Sequence, residues 1–136
     1  MMIFDKENIQ IVTKETKSQP NELNPVLICQ ELQETPLWIG FGCAAIGSST
    51  TRQFTLVNPQ SSSPTQVEIL KCPEKFGVTL RFGEEKLSNT ILQPGDSIQG
   101  YLTWTPQSNL SLREDILLQV NSTYTLTIRV QGFGGI

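Results

Sequence analysis

The strongest constraint in this sequence is a period of two. Phe54 and Leu56 alternate with Gln53, Thr55 and Val57, Val67 and Ile69 with Gln66 and Glu68, and Val78, Leu80 and Phe82 with Thr79 and Arg81. Successive side chains of a strand point to opposite sides, so each run carries one apolar face. The second half repeats the pattern. Ile98, Gly100, Leu102 and Trp104 alternate with Gln99, Tyr101 and Thr103; Ile116, Leu118 and Val120 follow; then Tyr124, Leu126, Ile128 and Val130 alternate with Thr125, Thr127 and Arg129. Turn chemistry separates the runs. Asn58-Pro59 with Ser61-Ser62-Ser63-Pro64 forms a loop, and Asn121-Ser122 joins the last two runs into a hairpin. Pro94-Gly95-Asp96 suits a type II turn, because Pro presets φ and Gly accepts the positive φ such a turn needs.

No window competes as a long helix. Asn109 to Gln119 would need a helix through Asn and Ser, and its apolar positions fit a strand at least as well. Short strands with one apolar face and turn signals about every 8 to 12 residues predict an all-β, two-sheet antiparallel sandwich. Its body runs over 37–133, inside a domain spanning 24–136. The apolar run Val26-Leu27-Ile28-Cys29, broken by Thr35-Pro36, predicts an additional edge strand over 26–32. Residues 1–23 are polar, mixed in charge and aperiodic, which predicts a flexible acidic leader.

Charge and composition narrow the function. The 136 residues contain ten Lys plus Arg, thirteen Asp plus Glu and no histidine, for a formal charge of −3. Without histidine there is no Ser-His-Asp or Cys-His catalysis, no His-ligated metal and no imidazole pH switch. The whole excess lies between Met1 and Pro36, where Lys6, Lys14 and Lys17 face Asp5, Glu7, Glu15, Glu22, Glu31 and Glu34. From Leu37 onward seven basic residues balance seven acidic ones. A nucleic-acid or anionic-membrane binder would carry a basic excess, so neither partner is expected. Met1-Met2-Ile3-Phe4 is followed at once by Asp5, Lys6 and Glu7, which predicts neither a secretory signal nor a membrane span and hence a cytoplasmic protein. Cys29, Cys43 and Cys72 are odd in number and far apart, so they read as small buried hydrophobes, with no disulfide framework or zinc site.

Few motifs suggest chemistry. Gly40-Phe41-Gly42-Cys43-Ala44-Ala45 matches a GxGxxA pattern after an apolar run, but the following Ile46-Gly47-Ser48-Ser49 is poor helix-forming sequence and the first acidic residue is Glu68. A glycine-rich turn between strands is the expectation there. Glu84-Glu85 and Glu114-Asp115 are adjacent pairs, which on a strand point to opposite faces and cannot share a substrate. No catalytic, cofactor-binding or metal-ligating residue is therefore expected. Trp38 and Trp104 read as core fillers. Lys71, Lys75, Arg81 and Lys86 cluster in sequence, and Tyr101 falls on an outward phase, so these five are the candidate partner contacts.

Several segments together carry a family resemblance. Gly47-Ser48-Ser49 before Phe54-Thr55-Leu56-Val57-Asn58-Pro59, Phe76-Gly77-Val78, Leu92-Gln93-Pro94-Gly95-Asp96-Ser97-Ile98, Thr103-Trp104-Thr105-Pro106, Leu112-Arg113-Glu114 and Ile128-Arg129-Val130-Gln131-Gly132 resemble the ASH domain. That domain is shared by abnormal-spindle, spindle-defective and hydin proteins and is related to major sperm protein. The resemblance implies an immunoglobulin-like sandwich of seven to eight strands without catalytic site or cofactor, in proteins of centrosomes, spindle poles and cilia. Its position near the amino terminus looks most like that of the abnormal-spindle proteins, where calponin-homology domains and IQ motifs would follow. The implied function is a non-catalytic protein-interaction module that helps position a cytoskeletal protein. Microtubule association would then come from other parts of a longer chain, because the body is neutral. The alternative is an adaptor of the sperm-protein type that binds short acidic peptide motifs.

Overall fold

A computed structural model describes residues 25–29 and 33–135. The leader expected over 1–23, and residues 30–32 of the expected edge strand, lie outside the described residues. Among the described residues there are nine strands: β1 (Val26–Ile28), β2 (Leu37–Ala45), β3 (Thr50–Val57), β4 (Thr65–Lys71), β5 (Val78–Phe82), β6 (Asn89–Leu92), β7 (Ser97–Trp104), β8 (Ser111–Val120) and β9 (Tyr124–Gly135). They form a sheet of order β1-β3-β7-β5 facing a sheet of order β2-β9-β8-β4-β6. This is the two-sheet sandwich that the alternation predicts and the immunoglobulin-like one that the resemblance implies; the described residues exceed the seven to eight strands expected, and β1 and β6 are only three and four residues long.

Two pairings depart from the antiparallel expectation. β1 lies parallel to β3, and β2 lies parallel to β9. Alternation marks which side chains face inward; it does not carry strand direction, so the crossing of the chain from one sheet to the other was not readable from it. The crossing is clipped by Gln33, whose side-chain amide donates to the Thr127 carbonyl (3.0 Å) and accepts from the Thr127 N–H (2.6 Å). It thereby extends the β9 ladder one step before β2 begins opposite Ile128.

The expected turn at Gly40–Ala45 is instead part of β2. The chain bulges between Gly40 and Gly42, where Gly42 adopts φ +71°. Glycine's freedom at positive φ serves a bulge here, not a reversal. Arg52, on the inward phase of β3, spans the gap between the sheets and donates to the Gly40 carbonyl (3.2 Å) and the Phe41 carbonyl (3.5 Å). The inserted residue also reverses the alternation. Ile39 and Phe41 are buried, whereas Cys43 is exposed and stands opposite the exposed Phe133. Cys43 is therefore not the core residue expected; Cys29 is buried and Cys72 half-buried.

The inward faces build one core from both sheets. Trp104 is 1% exposed at its centre, as expected. Its ring lies 5.6 Å from that of Phe41, and its indole N–H donates to the Phe76 carbonyl at 3.1 Å. Next to it, the Thr105 N–H donates to the Gly77 carbonyl, while a side chain on Gly77 would collide with the Thr105 carbonyl. Gly132 leaves room for the Trp104 ring in the opposite sheet. Trp38 corrects the other tryptophan expectation: it is out of phase with Ile39 and Phe41 and points to solvent.

Asn58 ties the far end of the sandwich. It is fully buried, and its side-chain nitrogen donates to the carbonyls of Ser63 (3.0 Å), Leu92 (3.0 Å) and Gln93 (3.3 Å), while its oxygen accepts from the Gln60 N–H. Gln93 begins the type II turn, closed by the Asp96 N–H to Gln93 carbonyl bond with Gly95 at φ +79°. Replacing Asn58 by Ala leaves these buried groups without partners, and urea unfolding should show a loss of about 2–3 kcal/mol. The thiols offer a second check. Burial pushes the Cys29 thiol up to about 12, and burial aided by the Glu74 charge pushes Cys72 up to about 11. At pH 8 a maleimide or aromatic disulfide reagent should modify Cys43 rapidly in the native protein, and Cys29 and Cys72 only when the sandwich is unfolded.

Candidate functional site

The sandwich gathers most of the five residues singled out in the sequence. Tyr101 on β7 stands opposite Arg81 on β5, and the Lys86 ammonium lies 4.6 Å from the centre of the Tyr101 ring. Lys86 takes φ +58° in the turn that brings Leu87 back to pair with Phe82, which is how a loop lysine reaches a strand tyrosine. Lys71, Arg81 and Lys86 line one open hollow of about 600 Å³ on the flank of the sandwich, with Glu74, Leu70 and Leu87. Arg81 approaches Glu74 at 3.9 Å. Lys75 does not join them. It leans over Phe76, its ammonium 5.3 Å from the ring centre, and lines a small cavity at the end of the sandwich beside Trp104 and Pro106. At about 50 Å³ that cavity has room for a water or two and none for a metabolite.

A second cluster, missed in the sequence, lies on the outer face of the other sheet. Trp38, Arg129 and Asp115 are successive neighbours across β2, β9 and β8. Arg129 grips Asp115 with both arms of its guanidinium, Nε to Oδ1 at 2.7 Å and Nη2 to Oδ2 at 3.0 Å. The Arg129 and Arg113 guanidinium carbons each sit 5.3 Å from the centre of the Trp38 ring, so two cations lie against an indole that is 45% exposed. A guanidinium lying over an aromatic face is attracted by the ring quadrupole. Lys71 completes the group: with Arg113, Glu114, Asp115 and Arg129 it lines a shallow concavity, so it belongs to both surfaces.

The cluster was legible in part. Counting back from a three-residue turn over Asn121, Ser122 and Thr123 pairs Asp115 with Arg129, and Trp38 sits one step out of phase with two apolar residues. What the sequence lacks is the parallel pairing of β2 with β9, which alone brings Trp38 to the hairpin.

The Arg129 hydrogen bonds hold the Asp115 carboxyl below the usual carboxylate range, helped by the charges of Arg129, Lys71 and Arg113 and opposed by partial burial. Arg129 is correspondingly raised by its bond to Asp115. Among the described residues no three Cys, Asp or Glu converge to hold a metal ion. The Gly40–Ala45 segment, inside a strand and followed by a turn, lacks the helix N-terminus that a dinucleotide pyrophosphate needs.

Comparison with known proteins places the fold. The profile described as "ASH: Abnormal spindle-like microcephaly-assoc'd, ASPM-SPD-2-Hydin" matches residues 25–128, more than half of the chain. The chain belongs to the ASH family. Among solved structures, the ASH domain here is similar to PapD-like domain 7 of human CEP192, with a TM-score of 0.55 at 11% identity over 96% of this chain and 97% of that one. It also matches SSP-19, an MSP-domain protein of Caenorhabditis elegans, with a TM-score of 0.46 at 14% identity over 68% and 94%. A third match is the Vibrio cholerae VesB protease, with a TM-score of 0.48 at 12% identity over 72% of this chain; the ASH domain spans 30% of that protein's length. No curated protein sequence matches significantly. ASH domains are generally protein-interaction modules on a fold that is typically non-catalytic, and the outward clusters of this one fit that role.

The Asp115–Arg129 pair has a measurable signature. An Asp whose folded pKa is depressed contributes stability that is complete above its unfolded pKa, near 4, and lost as pH falls through the lower folded value. In a carboxyl-carbon NMR titration, Asp115 should stay ionised below pH 4 in the native protein and return towards the ordinary range in Arg129→Gln.

Proposed function

We propose that this ASH domain is a non-catalytic protein-binding module that helps position a cytoskeletal protein at centrosomes, spindle poles or cilia. The observation that carries the reading is Trp38. A large aromatic side chain, half out in solvent with Arg113 and Arg129 against its ring, has the composition of an interface hot spot. Trp38 is preorganised by the two guanidinium groups, so binding immobilises little that is not already ordered. Phe133, 62% exposed on the same strand as Arg129, adds apolar surface farther along.

The location draws on the family description, which names abnormal-spindle proteins, and on the likeness to a domain of CEP192. The flanking hollow lined by Lys71, Arg81 and Lys86, with Tyr101 beneath the Lys86 ammonium, supplies a second area of contact in the same reading. Seven cations against seven anions from Leu37 onward do not supply the net positive field that would draw the body to acidic microtubule surfaces. Microtubule affinity is assigned to other parts of a longer protein.

The reading is tested by recruitment in dividing cells. A fluorescently tagged 136-residue chain should concentrate at centrosomes or spindle poles, and Trp38→Ala should reduce that enrichment several-fold while leaving the thermal midpoint within a few degrees. Diffuse wild-type signal, or full enrichment of Trp38→Ala, would exclude it.

A further inference from the structure

The chain places a hydroxyl residue before proline three times, at Thr35-Pro36, Ser63-Pro64 and Thr105-Pro106. Serine or threonine followed by proline is the pattern that proline-directed kinases read, and such a kinase needs the hydroxyl free and the chain around it within reach. The fold treats the three differently. Thr105 is closed: its hydroxyl shares a 2.6 Å hydrogen bond with that of Ser49, its N–H donates to the Gly77 carbonyl, and it follows the buried Trp104. Thr35 is exposed but bracketed. Two residues before it Gln33 is clipped to Thr127, and two residues after it Leu37 pairs with Ile128. Lifting that stretch into a kinase cleft would strip the start of β2 from β9.

Ser63 is presented to solvent. Residues 59–64 are exposed throughout and belong to no strand. Among the described residues nothing hydrogen-bonds the hydroxyls of Ser61, Ser62 or Ser63. Only the backbone of Ser63 is used: its carbonyl accepts from the buried Asn58 side chain at 3.0 Å, which fixes the foot of the loop while the hydroxyl stays outside. A residue before proline is also biased to extended backbone, the form in which kinases take their substrates. Charge adds the consequence. In the connections 58–64, 93–96 and 121–123, joined by the bonds of Asn58 and by the Asn121 bond to the Gln66 N–H, Asp96 is the only charged residue. A phosphate there adds about −1.5 to −2 and meets no cation of these connections.

We infer that Ser63 is a phosphorylation site for a proline-directed serine/threonine kinase, and that the modification turns this end of the sandwich from nearly uncharged to anionic without rearranging the fold. In the transfer the Ser63 Oγ bonds to the terminal phosphorus of MgATP as the bond to the bridging oxygen breaks. ADP leaves with that electron pair, and the hydroxyl proton passes to the aspartate base of the kinase. Because the hydroxyl makes no contact in the free domain, its loss removes nothing from the structure; what changes is the field that a partner meets at this end.

Incubating the purified 136-residue chain with MgATP and a recombinant cyclin-dependent kinase, and mapping the product by tandem mass spectrometry, tests it. Ser63 should carry the phosphate, with Thr35, Thr105, Ser61 and Ser62 each taking up at least about tenfold less. Ser63→Ala and Pro64→Ala should each lower total incorporation about tenfold or more. The Ser63 phosphopeptide should also be recovered from the tagged chain isolated from proliferating cells. Preferential labelling of Thr35 or Thr105, undiminished labelling of Ser63→Ala or Pro64→Ala, no labelling at all, or an unmodified Ser63 in the cellular chain would each overturn the inference. The phosphorylated domain should keep its thermal midpoint within about 3 °C, and a larger drop would overturn the claim that the fold is untouched.

Discussion

The sandwich depends on where Trp104 sits. It ends β7 in one sheet, packs on Phe41 and against Gly132 in the other, and gives its indole proton to the Phe76 carbonyl in the connection leading to β5. A buried indole N–H must find an acceptor, so the ring cannot slide without leaving that group unpaired. Gly77 and Thr105 complete the arrangement, since the chain passes so close that only glycine fits and its carbonyl accepts from Thr105. Phe76-Gly77-Val78 and Thr103-Trp104-Thr105-Pro106, distant in sequence and both part of the family pattern, are thus two halves of one contact. In these two segments the family pattern is a packing pattern.

The same contact positions the outer face. Phe41 must point inward to meet Trp104, and two residues of inward phase in β2, Ile39 and Phe41, oblige Trp38 to point outward. The bulge at Gly40 and Gly42, bridged by Arg52, then resets the alternation so that Cys43 and Phe133 share the solvent side. Parallel pairing with β9 places Trp38 beside Arg129, and the hairpin adds Asp115 and Arg113. The layout of the outer face is in this way the outward consequence of a core requirement: once the inner residues are seated, the outer ones have no freedom of position along the sheet.

Much of the fold was readable in the chain, and for a definite reason. Strands with one buried face write their burial as a period of two, and turns that need Pro, Gly or Asn name themselves, as at Pro94-Gly95 and Asn121-Ser122. Asn58 shows where such reading stops. Its short Asn-Pro motif suggests only a loop, yet its side chain holds three carbonyls from two separate segments, Ser63 in its own loop and Leu92 and Gln93 at the end of β6. Gly40-Phe41-Gly42 misled in the opposite direction, because glycine serves turns and bulges alike and only the neighbouring strand distinguishes them.

The candidate site divides along the same line. Lys71, Arg81, Lys86 and Tyr101 were named from local spacing and outward phase, and three of the four cations proposed do share a hollow; Lys75 does not, because the short 3-10 turn of Glu74–Phe76 carries it to the end of the sandwich. Local spacing does not group Trp38, Arg113 and Arg129, since they lie on three strands of which two pair in parallel across a long stretch of chain. Period and turn chemistry by themselves determined a β-sandwich with an uncharged core and balanced exterior, because burial of one strand face is a local property. Which outward residues became neighbours was decided only by the tertiary pairing of β2 with β9, because lateral contacts in a sheet depend on strand order and direction, and neither is written in the alternation of a single strand.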